Sequence, residues 1–388
     1  MFRYFEDSPM LSQGVLLAFN SGGDVNEIDR ACQAVVVHNG IPEVGSWFDA
    51  WTGLARLLIG QAEADEAKGG RISAAHKHRR AAVYYAMAER YIPHTDPRKA
   101  MAYDGVRSEF RKHVSLSGEP VEFVEVPYAA GSLPALFVPA GTSGQAPAVI
   151  FVDGFDLYKE LVYLRMNSDA ARARGMALLI VDTPGVGEAL RLRGMTTRYD
   201  TEVPVAACVD YLESRKDADP QRIGLIGLSL GGYYGPRAAA YEKRIKCCVA
   251  WGAMWDAGRQ FRVNHEKRAK SNLSAPDSQL LWVTGQPSQE AALEFMRNFT
   301  LEGVADKITV PFLVVHGEKD HLVPLDDAKR SVEAAVNSPR AQLVITTAEF
   351  GGEGHCTMDG MQTGVDLIYD WLAENLAAVQ AAPAARAR

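Results

Sequence analysis

The sequence predicts an α/β fold: a mostly parallel central sheet flanked by helices, with a helical region ahead of it. Three observations carry that prediction. Up to about residue 118, apolar residues recur at helical spacing and strand signals are scarce. Beyond it, short continuously apolar runs alternate with helical stretches, the pattern of buried parallel strands in β-α-β units. One of those runs leads directly into Gly227-Leu-Ser-Leu-Gly231, which precedes a helix-like segment.

The helical region reads as follows. Trp47, Trp51, Leu54, Leu57 and Leu58 keep helical spacing over 47–62. A second helix over 73–91 carries Ala81, Tyr84, Tyr85, Met87, Ala88 and Tyr91, and Pro93 stops it. Asp96-Pro-Arg opens a third, running to about His113. The cluster Lys77, Arg79 and Arg80, interleaved with His76 and His78, reads as a solvated helix face. Residues 1–118 are assigned to a cap or lid.

Residues 119–380 are assigned to the catalytic domain. Runs 121–126 and 133–139 alternate around Ala129-Ala-Gly-Ser132, which predicts a hairpin. Buried strands are predicted at 148–152, 177–181, 223–226, 248–251, 312–315 and 343–347. Pro184-Gly-Val-Gly-Glu188 lacks a third glycine and a Gly-Lys-Ser/Thr ending, so it reads as a strand-to-helix turn rather than a nucleotide loop. Residues 256–307 break the rhythm and are expected to be an insertion over the site, helical near 289–299. The Ala/Pro/Arg-rich stretch 381–388 is expected to be a disordered tail.

Bulk composition narrows the functional classes. Among 388 residues, 47% are hydrophobic and 23% charged, an ordinary globular balance. A net charge of −7 gives no support for nucleic acid or an anionic membrane as partner. Cys32, Cys208, Cys247, Cys248 and Cys356 are odd in number and lack zinc-site spacing, which suits reduced thiols in a cytoplasmic protein. The first residues show no signal-peptide pattern, and no apolar run is long enough to cross a bilayer.

The chemistry sits in three loops. A serine between glycines, after a buried strand and before a helix, is the context of a nucleophile elbow, so Ser229 is the expected nucleophile. A serine hydroxyl needs a base, and the base needs an orienting acid. Asp320 follows the strand at 312–315 on a loop and is the expected acid; Asp326 and Asp327 lie beyond Pro324, where a helix begins. His355 closes the glycine-rich Gly351-Gly-Glu-Gly354 and is the expected base. His316, His321 and His265 have weaker positions, and Cys356 reads as a packing neighbour. The oxyanion donors are expected from Leu230 and from the loop Asp153-Gly154-Phe155-Asp156, with Phe155 favoured and Gly154 close behind.

Taken together, the elbow and the order Ser, Asp, His identify an α/β-hydrolase. Asp153-Gly-Phe-Asp-Leu-Tyr-Lys159-Glu160, Asp182-Thr-Pro-Gly-Val-Gly-Glu188 and Gly227-Leu-Ser-Leu-Gly-Gly232 behind a helical region resemble one branch of that superfamily. This is the branch of 2,6-dihydroxypseudooxynicotine hydrolase and the fungal polyketide-shortening hydrolases of naphthopyrone precursors. The resemblance covers nearly the whole chain. It implies a dimeric enzyme without cofactor or metal that cleaves a carbon–carbon bond beside a ketone.

Such cleavage expels an enolate, which benefits from an acid near the pocket. Glu160, under an apolar lid, is the candidate, against the plainer reading of a helix N-terminal glutamate. Gly154, Trp255 and Tyr84 are candidate substrate contacts, with Trp47, Trp51 and Tyr85 behind them, although aromatic stripes on helices also serve as core. The expected partner is a small-molecule aromatic ketone. The same triad serves a carboxylesterase or thioesterase, and a non-catalytic hydrolase-fold binding protein is the alternative of another class. A peptidase is not expected, since the propeller companion of the prolyl peptidases is missing.

Overall fold

Each apolar run beyond residue 119 becomes a strand of one eight-stranded sheet. The strands are β1 (Glu122–Tyr128), β2 (Gly131–Val138), β3 (Ala146–Val152), β4 (Ala177–Val181), β5 (Ala218–Leu228), β6 (Cys247–Trp251), β7 (Phe312–Gly317) and β8 (Ala341–Thr346). Their spatial order is β8-β7-β6-β5-β3-β4-β2-β1. β2 is antiparallel to both β1 and β4, and every other pairing is parallel. The computed structural model describes residues 3–377 except 7, 39–40, 130, 156, 166–167 and 272–277. The expected tail at 381–388 lies outside the described residues.

The continuous apolar runs follow from burial on both faces. Along β3, Phe151 joins one hydrophobic cluster while Ile150 and Val152 join the other. Side chains alternate across a strand, so both faces must be apolar when both are covered. Register then brings the carboxyl ends of the central strands together. Val152 pairs with Gly227, Leu228 with Trp251, and Trp251 with Val315. The loops after these ends therefore open onto one place.

The helices ahead of the sheet are α1 (Pro9–Asn20), α2 (Val25–Gln33), α3 (Val44–Glu66), α4 (Arg71–Arg90) and α5 (Pro97–Ser117). The last three were legible as amphipathic periods. Asp96 caps α5 by accepting from the Arg98 N–H, Pro97 fills its first turn, and Gly118 ends it at φ 75°. α1 and α2 were not expected from the sequence. Ser8 and Asp24 cap them. Trp47, Trp51, Tyr84 and Phe110 share one buried cluster with Phe151 and Trp251 of the sheet, so α3 to α5 and that face pack as a continuous core.

The basic cluster on α4 is not a solvated face. Only His76 of the five residues is exposed. His78 is fully buried, with Nδ1 at 2.5 Å from Glu109 and Nε2 at 3.0 Å from Glu66. Arg79 donates to the Leu164 carbonyl at 2.9 Å, and Arg80 pairs with Glu27 at 2.9 Å. α4 has neighbours on several sides, so charged residues at successive positions each meet a partner.

Residues 256–307 form the expected excursion, with helices Ala257–Ser271, Ser278–Thr284 and Gln289–Met296. Its two ends are clasped by Ala257 N–H to Phe299 carbonyl and Leu301 N–H to Trp255 carbonyl, both at 2.9 Å. Leu293, Met296 and Phe299 sink into the second hydrophobic cluster. Among the described residues, no helix is long and apolar enough to cross a membrane.

Candidate active site

Ser229 sits at the turn between β5 and the helix Gly231–Tyr241, with φ 59°. That left-handed conformation is strained for any residue with a Cβ, and it projects the side chain out of the turn. Close packing holds the turn in place. The Ser229 N–H donates to the Trp251 carbonyl at 2.8 Å. A Cβ at Gly227 would stand 1.9 Å from the Gly231 carbonyl oxygen, so only glycine lets the strand and the helix approach this closely.

His355 and Asp320 complete a hydrogen-bonded line. The distance from Ser229 Oγ to His355 Nε2 is 2.8 Å, and from His355 Nδ1 to Asp320 Oδ2 it is 2.6 Å. Asp320 is fixed in turn, since its Oδ1 accepts the N–H groups of Leu322 at 2.8 Å and Val323 at 2.9 Å. Gly317 allows the two loops to meet, because a Cβ there would lie 2.3 Å from the Gly354 carbonyl oxygen. Burial pushes the His355 pKa down, but the Asp320 carboxylate outweighs it and holds the imidazole well above the usual histidine value. Burial raises the Asp320 carboxyl while His355 lowers it, and the net direction is down.

The competing histidines are placed elsewhere. His316 is buried and its Nε2 donates to the Val323 carbonyl at 3.0 Å, so it braces the Asp320 loop. His321 meets Gln13 of α1 at 3.0 Å. Cys356 is closer to the chemistry than a packing neighbour. Its Sγ lies 3.4 Å from His355 Nε2 and donates to the Trp251 carbonyl at 3.3 Å.

The loop after β3 approaches the elbow from the other side. A Cβ at Gly154 would stand 2.8 Å from the Leu230 nitrogen and 2.9 Å from Ser229 Cβ. The Gly154 N–H is turned onto the Asp153 carboxylate at 2.6 Å. The N–H groups of Leu230 and Phe155 donate to no acceptor among the described residues. The Phe155 ring packs on Phe261 of the 256–307 segment, with centroids 5.0 Å apart. Asp156 lies outside the described residues.

Glu160 is not joined to this line by any hydrogen bond or ion pair among the described residues. It is 2% exposed, and Oε1 pairs with its neighbour Lys159 at 2.9 Å. The Lys159 ammonium also holds Asp182 at 3.1 Å and Glu188 at 2.8 Å. Three carboxylates around one buried ammonium cannot all ionise cheaply. Burial accordingly raises the Glu160 carboxyl despite Lys159. Asp182 also accepts the N–H groups of Lys159 and Glu188, each at 2.8 Å, and so braces two helix starts at once. The Lys-Glu and Asp-Thr-Pro-Gly motifs are thus two halves of one buried cluster.

One expected substrate contact is placed differently. Tyr84 is fully buried inside the helical layer. Its ring packs on Trp51 and its hydroxyl donates to Glu27 at 2.6 Å. Trp255 is half-buried, and its backbone N–H donates to Asp327. Several side chains on α5 and on or next to the helix Lys159–Arg165 carried no sequence signal. The hydroxyls of Tyr103 and Tyr158, Glu160 Oε2, and Nε and Nη2 of Arg165 are all buried without a hydrogen-bond partner. The Arg191 guanidinium faces the rings of Tyr103 and Tyr158 at 5.1 and 4.9 Å. Among the described residues, no group of three or more His, Cys, Asp or Glu is arranged to hold a metal ion.

With that geometry in view, relatives give the site a lineage. The prolyl oligopeptidase family matches residues 163–378, which is more than half of the chain. The chain belongs to that family of α/β-hydrolases. Hydrolase acrC of Aspergillus aculeatus is 33% identical over 247 residues, covering 58% of this chain. The chain spans 57% of that relative's length and 61% of that of hydrolase ORFZ of Pyricularia oryzae. A 2,6-dihydropseudooxynicotine hydrolase of Paenarthrobacter nicotinovorans is 28% identical over 339 residues, 87% of this chain and 86% of its own. The crystal structure of a 2,6-dihydroxy-pseudo-oxynicotine hydrolase superposes with a TM-score of 0.77 at 24% identity, covering 93% of this chain and 95% of that one. The helical region is therefore part of the shared fold.

Proposed function

We propose that this chain is a serine hydrolase that cleaves the carbon–carbon bond beside a ketone, in a β-dicarbonyl or acyl-aromatic substrate, through an acyl-enzyme on Ser229. The single observation that carries the serine chemistry is the unbroken line Ser229–His355–Asp320 at 2.8 and 2.6 Å. The carbon–carbon reading draws on the similarity to the dihydropseudooxynicotine hydrolase along most of both chains.

The geometry supports the following course of reaction. Neutral His355 takes the Ser229 proton as Oγ attacks the carbonyl carbon. The developing oxyanion is held by the N–H groups of Leu230 and Phe155. Collapse breaks the carbon–carbon bond, and the pair leaves on carbon as an enolate that receives the proton from His355. Water, deprotonated by His355, then hydrolyses the ester on Ser229 and releases a carboxylic acid. Glu160, tied to Lys159, is a positioning residue for the loop in this scheme rather than the acid that meets the leaving group. Residues 1–118 and 256–307 act as the cover of the site.

A carboxylesterase uses the same residues and remains the second reading, favoured by the generic nature of the triad. Purified enzyme should be offered 1-phenyl-1,3-butanedione, a p-nitrophenyl ester and a prolyl aryl amide. Cleavage of the diketone to two products supports the proposal. Fast ester turnover with an intact diketone overturns it in favour of the esterase, and amide cleavage alone overturns it in favour of a peptidase.

A further inference from the structure

We infer that Arg165 is the anion-binding residue of this site and takes a negatively charged oxygen of the substrate, the enolate of a β-dicarbonyl or the phenolate of a hydroxyaryl ketone. The inference rests on the proposed Ser229 chemistry and names the substrate feature it acts on.

Arg165 ends the helix Lys159–Arg165 that follows the oxyanion loop. It is 4% exposed and makes no hydrogen bond or ion pair among the described residues. Two partly buried arginines of the same region are partnered. Arg191 pairs with Glu89 at 2.8 Å, and Arg79 donates to the Leu164 carbonyl at 2.9 Å. Holding a guanidinium out of water without an anion costs several kcal/mol in effective terms. A fold keeps such a group where something else supplies the negative charge.

The surroundings of Arg165 say where that charge would come from. Its electrostatic neighbours are Asp153 of the oxyanion loop, Cys356 beside His355, and Arg90 at the end of α4. The Asp153 carboxylate already receives the Gly154 N–H. Cys356 Sγ lies 3.4 Å from the catalytic imidazole nitrogen. A Cβ at Gly252 would stand 2.7 Å from that sulfur and 3.8 Å from Ser229 Cα, so Cys356 and the nucleophile pack against the same glycine. Arg165 thus shares the electrostatic surroundings of the oxyanion loop and of the residue beside His355. Burial lowers the Arg165 pKa even with Asp153 near it, as befits a cation that lacks its counter-charge.

The chemistry of the proposed reaction supplies the missing anion. The carbonyl attacked by Ser229 places its oxygen in the oxyanion hole, so a second cation is of no use to it. The other carbonyl of a β-dicarbonyl becomes the enolate oxygen as the carbon–carbon bond breaks. A desolvated guanidinium beside that oxygen stabilises the leaving group far better than water does. A phenolate next to the ketone would occupy the same place in the ground state.

The test compares R165M and R165K with wild type on 1-phenyl-1,3-butanedione and on a p-nitrophenyl ester, with o-hydroxyacetophenone and benzoate as competitive inhibitors. Thermal unfolding and fluorophosphonate labelling of Ser229 report whether fold and triad survive. We expect the diketone-to-ester ratio of kcat/KM to fall roughly 10- to 100-fold in R165M, the range of a charge-assisted hydrogen bond. R165K should restore part of it, labelling should persist, and Tm should hold or rise. A fall confined to diketone turnover assigns the enolate, and a loss confined to o-hydroxyacetophenone inhibition assigns the phenolate. An unchanged ratio together with unchanged inhibition overturns the inference. A drop in Tm with equal loss on every substrate also overturns it, in favour of a structural role. Should wild type hydrolyse only the ester, the carbon–carbon reading fails alone. Weaker benzoate inhibition in R165M would then still support Arg165, and unchanged inhibition would overturn it.

Discussion

At the carboxyl edge of the sheet, every side chain of the Ser229 line has its partner. Asp320 accepts from two backbone N–H groups and from His355, and His355 in turn meets Ser229. On α5 and along the helix Lys159–Arg165 the opposite holds. Arg165, the Tyr103 and Tyr158 hydroxyls and one oxygen of Glu160 are buried with no hydrogen-bond partner among the described residues. Buried polar groups in folded proteins are nearly always paired, and an unpaired one costs about 1–3 kcal/mol. The difference teaches that the first set is satisfied within the fold, while the second holds polar groups that the fold leaves unpaired, as the proposed anion-binding role of Arg165 requires. Lys159 stands between the two as a paired cluster with a structural task.

Several measurements break or sharpen that contrast. The largest effect belongs to Ser229. S229A should lower kcat by roughly 10^4-fold or more while leaving substrate binding intact, as read by equilibrium titration. D320N should cost about 10^4-fold in kcat, because the imidazole loses its orienting partner. The same variant has a pH signature. Only neutral His355 can accept the serine proton, and the Asp320 carboxylate holds its pKa above the usual histidine value. In wild type, kcat/KM should therefore fall as pH drops through an apparent pKa above the ordinary histidine range. In D320N burial remains while the carboxylate is gone, so that limb should move to lower pH.

K159M leaves Asp182, Glu188 and Glu160 without their shared cation. It should cost about 3–5 kcal/mol of stability, seen as a lowered denaturant midpoint. G154A inserts a methyl 2.8 Å from the Leu230 nitrogen. It should lower kcat by about 10^2- to 10^3-fold, the effect of losing one oxyanion donor, with little change in KM. The smallest effect is expected at Tyr103. Y103F removes a hydroxyl that has no partner among the described residues, so stability should stay within about 0.5 kcal/mol or improve. A large loss of stability in Y103F would mean that this hydroxyl is satisfied in solution, and the contrast between the two regions would weaken.

The sequence made one of these regions far more legible than the other. All eight strands of the sheet were readable, because a strand buried on both faces has to be a continuous apolar run bounded by turn residues. Ser229, Asp320 and His355 were readable because each follows such a run on a short loop, where position along the chain sets position in space. Gly227 and Gly154 were readable as small residues, though their purpose appears only as the closeness of Gly231 and Leu230. The helices α1 and α2 were missed, since they are short and their period is brief. Tyr84 was misplaced because a helix period shows which residues share a face, not which neighbour covers it. Glu160 was singled out correctly as buried, yet its partner Lys159 and the link to Asp182 and Glu188 depend on the packing of two distant turns. Arg165 carried no signal, because an arginine at a helix end ordinarily reaches water. What marks it is the lack of a partner among the described residues, a property of the folded chain alone.

The nucleophile itself is open to the most direct test. Wild-type protein should be treated with a fluorophosphonate, digested and mapped by mass spectrometry. One equivalent of label on the peptide containing Ser229, greatly slowed in H355A, is the predicted result. A protein that stays folded but unlabelled, or labelled at another residue such as Cys356, would contradict the assignment of Ser229.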